Sequence, residues 1–316
     1  FSLKPFLQKN LKRLRKQVII IGKKHCIVGK IVFIKAGLFT TIQDQGRLGF
    51  VDKGIPTTGP MDASSFHLAN LLARKNPGAA CLEIYMGNVL LYFTENCQIV
   101  CTGANAKIKV DTKVYGTNEI INISAYSKVN IPSFRQGQWL YLAINGLFDS
   151  ECIMGSQSFY QEITPLAKFR DNDILTFTSS SNFIPTDFSK VKPRGFSKSS
   201  QIPVFPGPSF SSLSKAQQHA LTDSSLTLSP IQNRMGIQLV EKIKHSLPEL
   251  ISSPVYPGTV QLTQAGKIII LMKDAQVTGG YPRVLQLTSK GISMLSQLRP
   301  QTKFKFQLVT QIDFLT

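Results

Sequence analysis

Short apolar, β-branched runs recur along the whole chain, each broken off by Gly, Asn, Asp or Pro, and this rhythm limits the fold more than any other feature. It predicts strands at 31–35, 81–86, 89–93, 98–101, 107–110, 119–123 and 139–144. A second series follows at 174–177, 236–240, 259–262, 268–272, 284–287 and 304–309. Three stretches have helical spacing: 62–73, opened by Asp62 as N-cap, then 213–221 after a serine cluster, and 289–298 ahead of Pro300. Many strands and few helices point to a mainly β chain of sandwich or barrel type, not a doubly wound sheet. A Ser-, Pro- and Lys-rich break near 179–202 divides the pattern in two. The expected organisation is a basic leader outside the fold at 1–30, a first β subdomain at 31–184, a linker at 185–200 and a second β subdomain at 201–316.

The charge is less informative than its size suggests. The 316 residues carry +18, but nine Lys or Arg and no acid fall in the first thirty, leaving 27 bases against 18 acids. No basic stripe follows residue 30, so neither a nucleic-acid surface nor a membrane partner is expected, and the diffuse excess suits an anionic substrate or an acidic protein. No apolar run reaches the length of about 18 residues that a membrane helix needs. Five cysteines at irregular spacing (26, 81, 97, 101, 152) make no disulfide framework and suggest a reducing cytoplasm. The four histidines (25, 67, 219, 245) have no metal-ligand spacing, so no metal site is expected.

Four segments and one isolated carboxylate could carry chemistry. In Thr40–Arg47, Gly46 allows a tight turn, and Asp44 and Arg47 could pair or face one ligand; the Arg fork suits a carboxylate or phosphate. Gly54–Asp62 places several turn formers directly before a helix N-terminus, where backbone N–H groups attract anions, although Asp62 would occupy part of that site. Glu83 is a charge inside an apolar strand and needs a partner such as an Arg unless it points outward. The second half offers Asn233-Arg234-Met235-Gly236 and the decapeptide Asp274–Arg283, which gathers Asp274, Gln276, Thr278, Gly279, Gly280, Tyr281 and Arg283 between two strong strands, as a ligand-wrapping loop would. A wide hairpin is the structural alternative for the last. Phosphate-loop, dinucleotide and nucleophile-elbow motifs are absent, and Met272-Lys273 lacks the setting of a biotinylation site.

Taken in order, Gly37–Arg47, Gly54–Asp62, Ala69-Asn70, Leu82-Glu83, Gly103-Ala104, Asn233–Gly236, Tyr256–Gln261, Thr278–Arg283 and Gln297–Pro300 resemble the carboxyltransferase subdomain A and B family. That family is also called allophanate hydrolase subunit 2-like, and it includes the C subunit of 5-oxoprolinase and KipA. The resemblance implies two cyclophilin-like β-barrel subdomains with a few short helices. It also implies a subunit-1 or KipI-like partner (similar to the B subunit of 5-oxoprolinase), a LamB/YcsF-like third subunit and a small amide substrate. ATP would be used by the assembled complex, and biotin would not be carried by this chain. The implied activity is opening of 5-oxoproline to glutamate. A biotin-dependent carboxyltransferase component and a non-catalytic regulator that binds a KipI-like kinase inhibitor are the alternatives. Asp44, Arg47, Asp274 and Arg283 are the expected catalytic residues, with Asn70, Glu83, Arg234, Gln261, Thr278, Gly279, Gly280 and Tyr281 on the substrate. Gln157 departs from the family, standing where an Arg is usual.

Overall fold

Two neighbouring strands, Cys81–Tyr85 and Gln136–Ile144, are buried almost end to end, which requires cover on both faces of their sheet. That sheet is antiparallel with five strands, in the order Phe39–Gln43, Cys81–Tyr85, Gln136–Ile144, Cys97–Asn105 and Ile120–Ile123. Alternate side chains leave opposite faces of a strand. Leu82, Ile84, Leu140 and Leu142 therefore enter one core, and Cys81, Tyr141 and Ala143 enter another. The computed structural model describes residues 20–21, 24–180, 191–192 and 200–309.

The first core lies between this sheet and a longer antiparallel one, ordered Gly146–Asp149, Ile174–Ser180, Lys24–Lys35, Val89–Phe93, Lys128–Ile131, Ile108–Val110 and Lys113–Tyr115. Its strand Lys24–Lys35 reaches back past the expected start at Ile31, with Ile27–Lys30 paired on Thr176–Ser179. A Cβ at Gly29 would lie 2.5 Å from the Phe177 ring, so the glycine makes room for a cross-strand aromatic. The rest of the expected leader, residues 1–19 and 22–23, lies outside the described residues, as does most of the expected linker.

The second half closes into a barrel of seven strands: Ser200–Pro206, Arg283–Leu287, Thr259–Leu262, Lys267–Leu271, Gly236–Lys242, Leu226–Gln232 and Lys303–Leu308. A parallel pairing of the first with the last completes the circle. The chain is thus mainly β. Three α-helices fall among the described residues: α1 (Ala63–Leu72), α2 (Lys215–Thr222) and α3 (Ser289–Ser296). Asp62, Ser214 and Thr288 cap them through their side-chain oxygens, each satisfying an N–H that would otherwise lack a partner.

Helix α1 covers the second face of the five-stranded sheet and packs on α3 of the other half. Its Phe66 is fully buried and meets Tyr141 edge-on at 6.1 Å, a burial that stabilises by roughly 1.5–3 kcal/mol. One apolar cluster runs from Phe66, Ala69 and Tyr141 through Ile292 and Leu295 to Val260 and Ile270 inside the barrel. The two halves therefore share a core.

Candidate functional site

The shared core is interrupted by one row of polar residues. Cross-strand register aligns Thr41, Glu83, Tyr141 and Thr102 on neighbouring strands of the five-stranded sheet, all buried. Glu83 is at the centre of the row and has no exposed surface. Its Oε2 accepts from the Met61 N–H (2.8 Å) and the Tyr141 hydroxyl (2.7 Å), and its Oε1 accepts from Arg234 Nη1, which comes from the other half. Arg234 also grips Asp274 in a two-pronged pair (Nε to Oδ2 2.6 Å, Nη2 to Oδ1 2.8 Å) and donates from Nη2 to the Gly59 carbonyl at 2.8 Å.

Burial pushes the Glu83 carboxyl above its ordinary range, while Arg234 and the Met61 and Tyr141 donors pull it back. Burial also works against the charge of Arg234, but Asp274 and Glu83 outweigh it and hold the guanidinium above its ordinary value. Tyr141 is raised well above its usual range by burial and then by Glu83 and Asp62. Next in the chain to Asp274, Lys273 is lowered by burial and by Arg234. One cation between two carboxylates leaves the network with no surplus positive charge.

A cleft of about 410 Å³ opens beside this network, between the halves. Phe39, Tyr85 and Trp139 from the first half face Gln232, Arg234 and Ile237 from the second. Trp139 is the single tryptophan of the chain and lies 4.8 Å from the Tyr85 ring. A guanidinium has five N–H donors. Four from Arg234 are engaged as described, which leaves one Nη1–H on a residue that lines the cleft.

Gln297, just past α3, fastens the halves beneath the cleft. Its Oε1 accepts from the Gln138 and Trp139 N–H groups (2.8 and 3.0 Å), and its Nε2 donates to the Trp139 carbonyl and to Asp62 (2.8 and 2.9 Å). These backbone groups are free for Gln297 because the strand pairing slips between Gln136 and Leu140. Gly137 allows the slip: its φ is +79°, and a Cβ there would stand 2.9 Å from Gln297 Oε1.

Not all of the residues expected at the site come to this cleft. Arg47 is fully buried and donates to the Ile153 carbonyl (3.1 Å), the Ser158 carbonyl (2.6 Å) and the Thr58 hydroxyl (3.4 Å). Its pKa is lowered by burial, against the opposing fields of Asp44 and Asp274. Asp44 accepts from the Gly46 and Gln157 N–H groups and from the Ser156 and Ser158 hydroxyls, at 2.6–2.8 Å. The Asp44–Arg47 turn thus knits loops 54–60 and 153–158 together. Gln157 turns its amide to the Phe148 and Ser150 carbonyls. Asn70 braces the loop after α1 through the Pro77 and Ala79 carbonyls.

The decapeptide divides. Asp274 joins Arg234, whereas Thr278 and Gly279 pair with Ser253-Pro254 in a small ribbon. Arg283 donates from Nη1 to the Pro254 carbonyl at 3.0 Å and stands across from Gln261; Gln261 Nε2 and Arg283 Nε are buried with no acceptor among the described residues. Gly280 and the partly exposed Tyr281 complete the turn. Arg47, Gln261 and Arg283 do not line the cleft. Trp139, Tyr141, Gln138 and Gln297 do stand at or beneath it, and the sequence reading did not single them out; a lone Trp beside Gln138 inside an apolar run was the available signal. Among the described residues no cluster of His, Cys, Asp and Glu could hold a metal ion, and no helix is long and apolar enough to cross a membrane.

Known proteins are similar to this chain in sequence and in fold. The chain is 31% identical over 274 residues to the C subunit of 5-oxoprolinase from Escherichia coli, covering 84% of this chain and 86% of that protein. The Haemophilus influenzae protein of the same name is 25% identical over 285 residues, covering 85% and 88%. The crystal structure of the K. lactis urea amidolyase superposes with a TM-score of 0.80 at 20% identity. That match takes in 96% of this chain but spans only 20% of the larger protein. The pattern of the carboxyltransferase domain, subdomain A and B, matches residues 53–308, and the chain belongs to that family.

Proposed function

We propose that this chain is one subunit of an ATP-dependent 5-oxoprolinase-type amidohydrolase complex, which opens 5-oxoproline to glutamate and is active only with its partner subunits. The observation that carries the reading is the near full-length similarity to proteins named as the C subunit of 5-oxoprolinase. The cleft adds chemical support. A lactam carbonyl is a poor electrophile, so the site must stabilise charge that develops on its oxygen. Arg234 is positioned to do so, because both carboxylates hold it rigid and one N–H remains for a ligand. The aromatic wall of Tyr85 and Trp139 suits a small ring.

The cleft does not fit a triphosphate. Its one cation is already matched by Glu83 and Asp274, and the sequence has no phosphate-binding loop. In this reading ATP is used by the assembled complex, and this chain contributes amide recognition. The test is 5-oxoproline-dependent ATP hydrolysis by the reconstituted complex, with and without this chain. Loss of coupled turnover on omission is expected. Unchanged turnover would remove the chain from the reaction.

A further inference from the structure

The cleft between the halves has a polarity that the proposed substrate class alone does not explain. Its polar lining consists mainly of carboxamides, among them Gln138 and Gln232. Gln232 Nε2 is buried and finds no acceptor among the described residues. The Gln138 amide is already engaged, accepting from the Tyr85 hydroxyl at 3.3 Å and donating to the Ser296 carbonyl at 3.1 Å. Arg234 offers one remaining N–H, but its charge is cancelled by two carboxylates. Other cations of the neighbourhood do not line the cleft: Lys273 sits within the field of Glu83 and Asp274. Arg299 is spent on the Gly137 and Phe134 carbonyls, and Lys168 on the Leu38 carbonyl. An anion entering here would meet N–H donors without a net positive field, whereas a neutral carbonyl would lose nothing.

We propose that this cleft recognises the uncharged amide edge of a small planar ring, its carbonyl oxygen accepting from Gln232 Nε2 and Arg234 Nη1 and its face lying against Trp139. A carboxylate on the ligand is left for a partner subunit to bind. The inference rests on the amide reading above and deepens it by dividing recognition of the substrate between chains. With Lys273 beside the Glu83–Arg234–Asp274 network, two cations face two carboxylates, so a lone carboxylate entering the cleft gains no net attraction.

Trp139, the chain's one tryptophan, gives a direct readout. Its emission is titrated in the isolated chain with 2-pyrrolidone, which is the bare lactam, and with 5-oxoproline, the same ring bearing a carboxylate. The expected result is saturable change with 2-pyrrolidone at millimolar concentration and binding of 5-oxoproline no tighter than that. Gln232→Leu should weaken 2-pyrrolidone by roughly tenfold, the worth of one good hydrogen bond, and circular dichroism melts verify that the variant is folded. Tighter binding of 5-oxoproline by about tenfold or more would overturn the neutral-cleft inference and leave the amide reading standing. No saturable response to either ligand would overturn the cleft as the amide site, while the subunit assignment is judged separately by the omission assay.

Discussion

Replacing Arg234 with Met isolates what holds the two halves in register. The substitution keeps most of the side-chain volume and removes the guanidinium. Asp274, with 13% of its side chain exposed, can regain water. Glu83 cannot: it is fully buried and keeps only the Met61 and Tyr141 donors. Breaking a buried pair from one side costs about 3–5 kcal/mol, and losing the bond to the Gly59 carbonyl adds about 1 kcal/mol. The deficit must depend on pH. Without Arg234 the folded-state pKa of Glu83 rises further above its unfolded value of about 4.3, so the folded protein binds the extra proton. Stability relative to the parent is then lowest above the raised folded pKa and recovers as the pH falls through it. Urea melts at about pH 8 and about pH 5 should show the gap shrinking at the lower pH. In the Arg234→Met background, Glu83→Gln keeps both donors satisfied and removes the charge, and should restore about 2 kcal/mol at the higher pH. A gap below about 1 kcal/mol, or one that does not change with pH, would refute the claim that Arg234 compensates a buried carboxylate.

Other substitutions test the neighbouring joints. Gln297→Leu strands the Gln138 and Trp139 N–H groups and the Trp139 carbonyl, and should cost roughly 3 kcal/mol in denaturant melts with a red shift of Trp139 emission. Arg47→Met removes three donors from loops 54–60 and 153–158; it should lower stability by about 2–4 kcal/mol and expose those loops to limited proteolysis, yet leave lactam affinity of the cleft unchanged. Burial pushes the Cys81 thiol up to about 12 and raises Cys97 and Cys101 as well, while Cys152 is exposed. In a Cys26→Ser background, a thiol reagent should therefore label Cys152 rapidly in the native protein and the other three only after unfolding.

How far the sequence could be read depended on where each side chain finds its partner. Local signals worked when the partner was local. Asp62 announces α1 because its carboxylate caps an N–H three residues on, and most strands showed because their own side chains are apolar. Phe39–Gln43 escaped because three of its four buried positions are polar: Thr40 donates to the Ala36 carbonyl, and Gln43 to Thr41 and the Phe159 carbonyl. Leu226–Gln232 contains Pro230, a residue that argues against a strand interior, but pairing with Gly236–Lys242 shifts between Leu228 and Gln232 and so accommodates it.

The site follows the same logic at longer range. Glu83 declared in the sequence that it needed a cation, since an unpaired charge inside an apolar strand is untenable. Which cation could not be read, because Arg234 lies 151 residues away in the other half and comes near only through the packing of the two halves on one shared core. Arg47 shows the converse. Its motif suggested ligand chemistry, but its donors are consumed by backbone carbonyls and its charge is matched by no hydrogen-bonded carboxylate. A residue type states what a side chain can do; which other groups are left unsatisfied decides what it does. Donors that remain after the fold has taken its share mark where a ligand can be held: at the cleft those are Gln232 Nε2 and the last N–H of Arg234, and on the neighbouring barrel strands they are Gln261 Nε2 and Arg283 Nε.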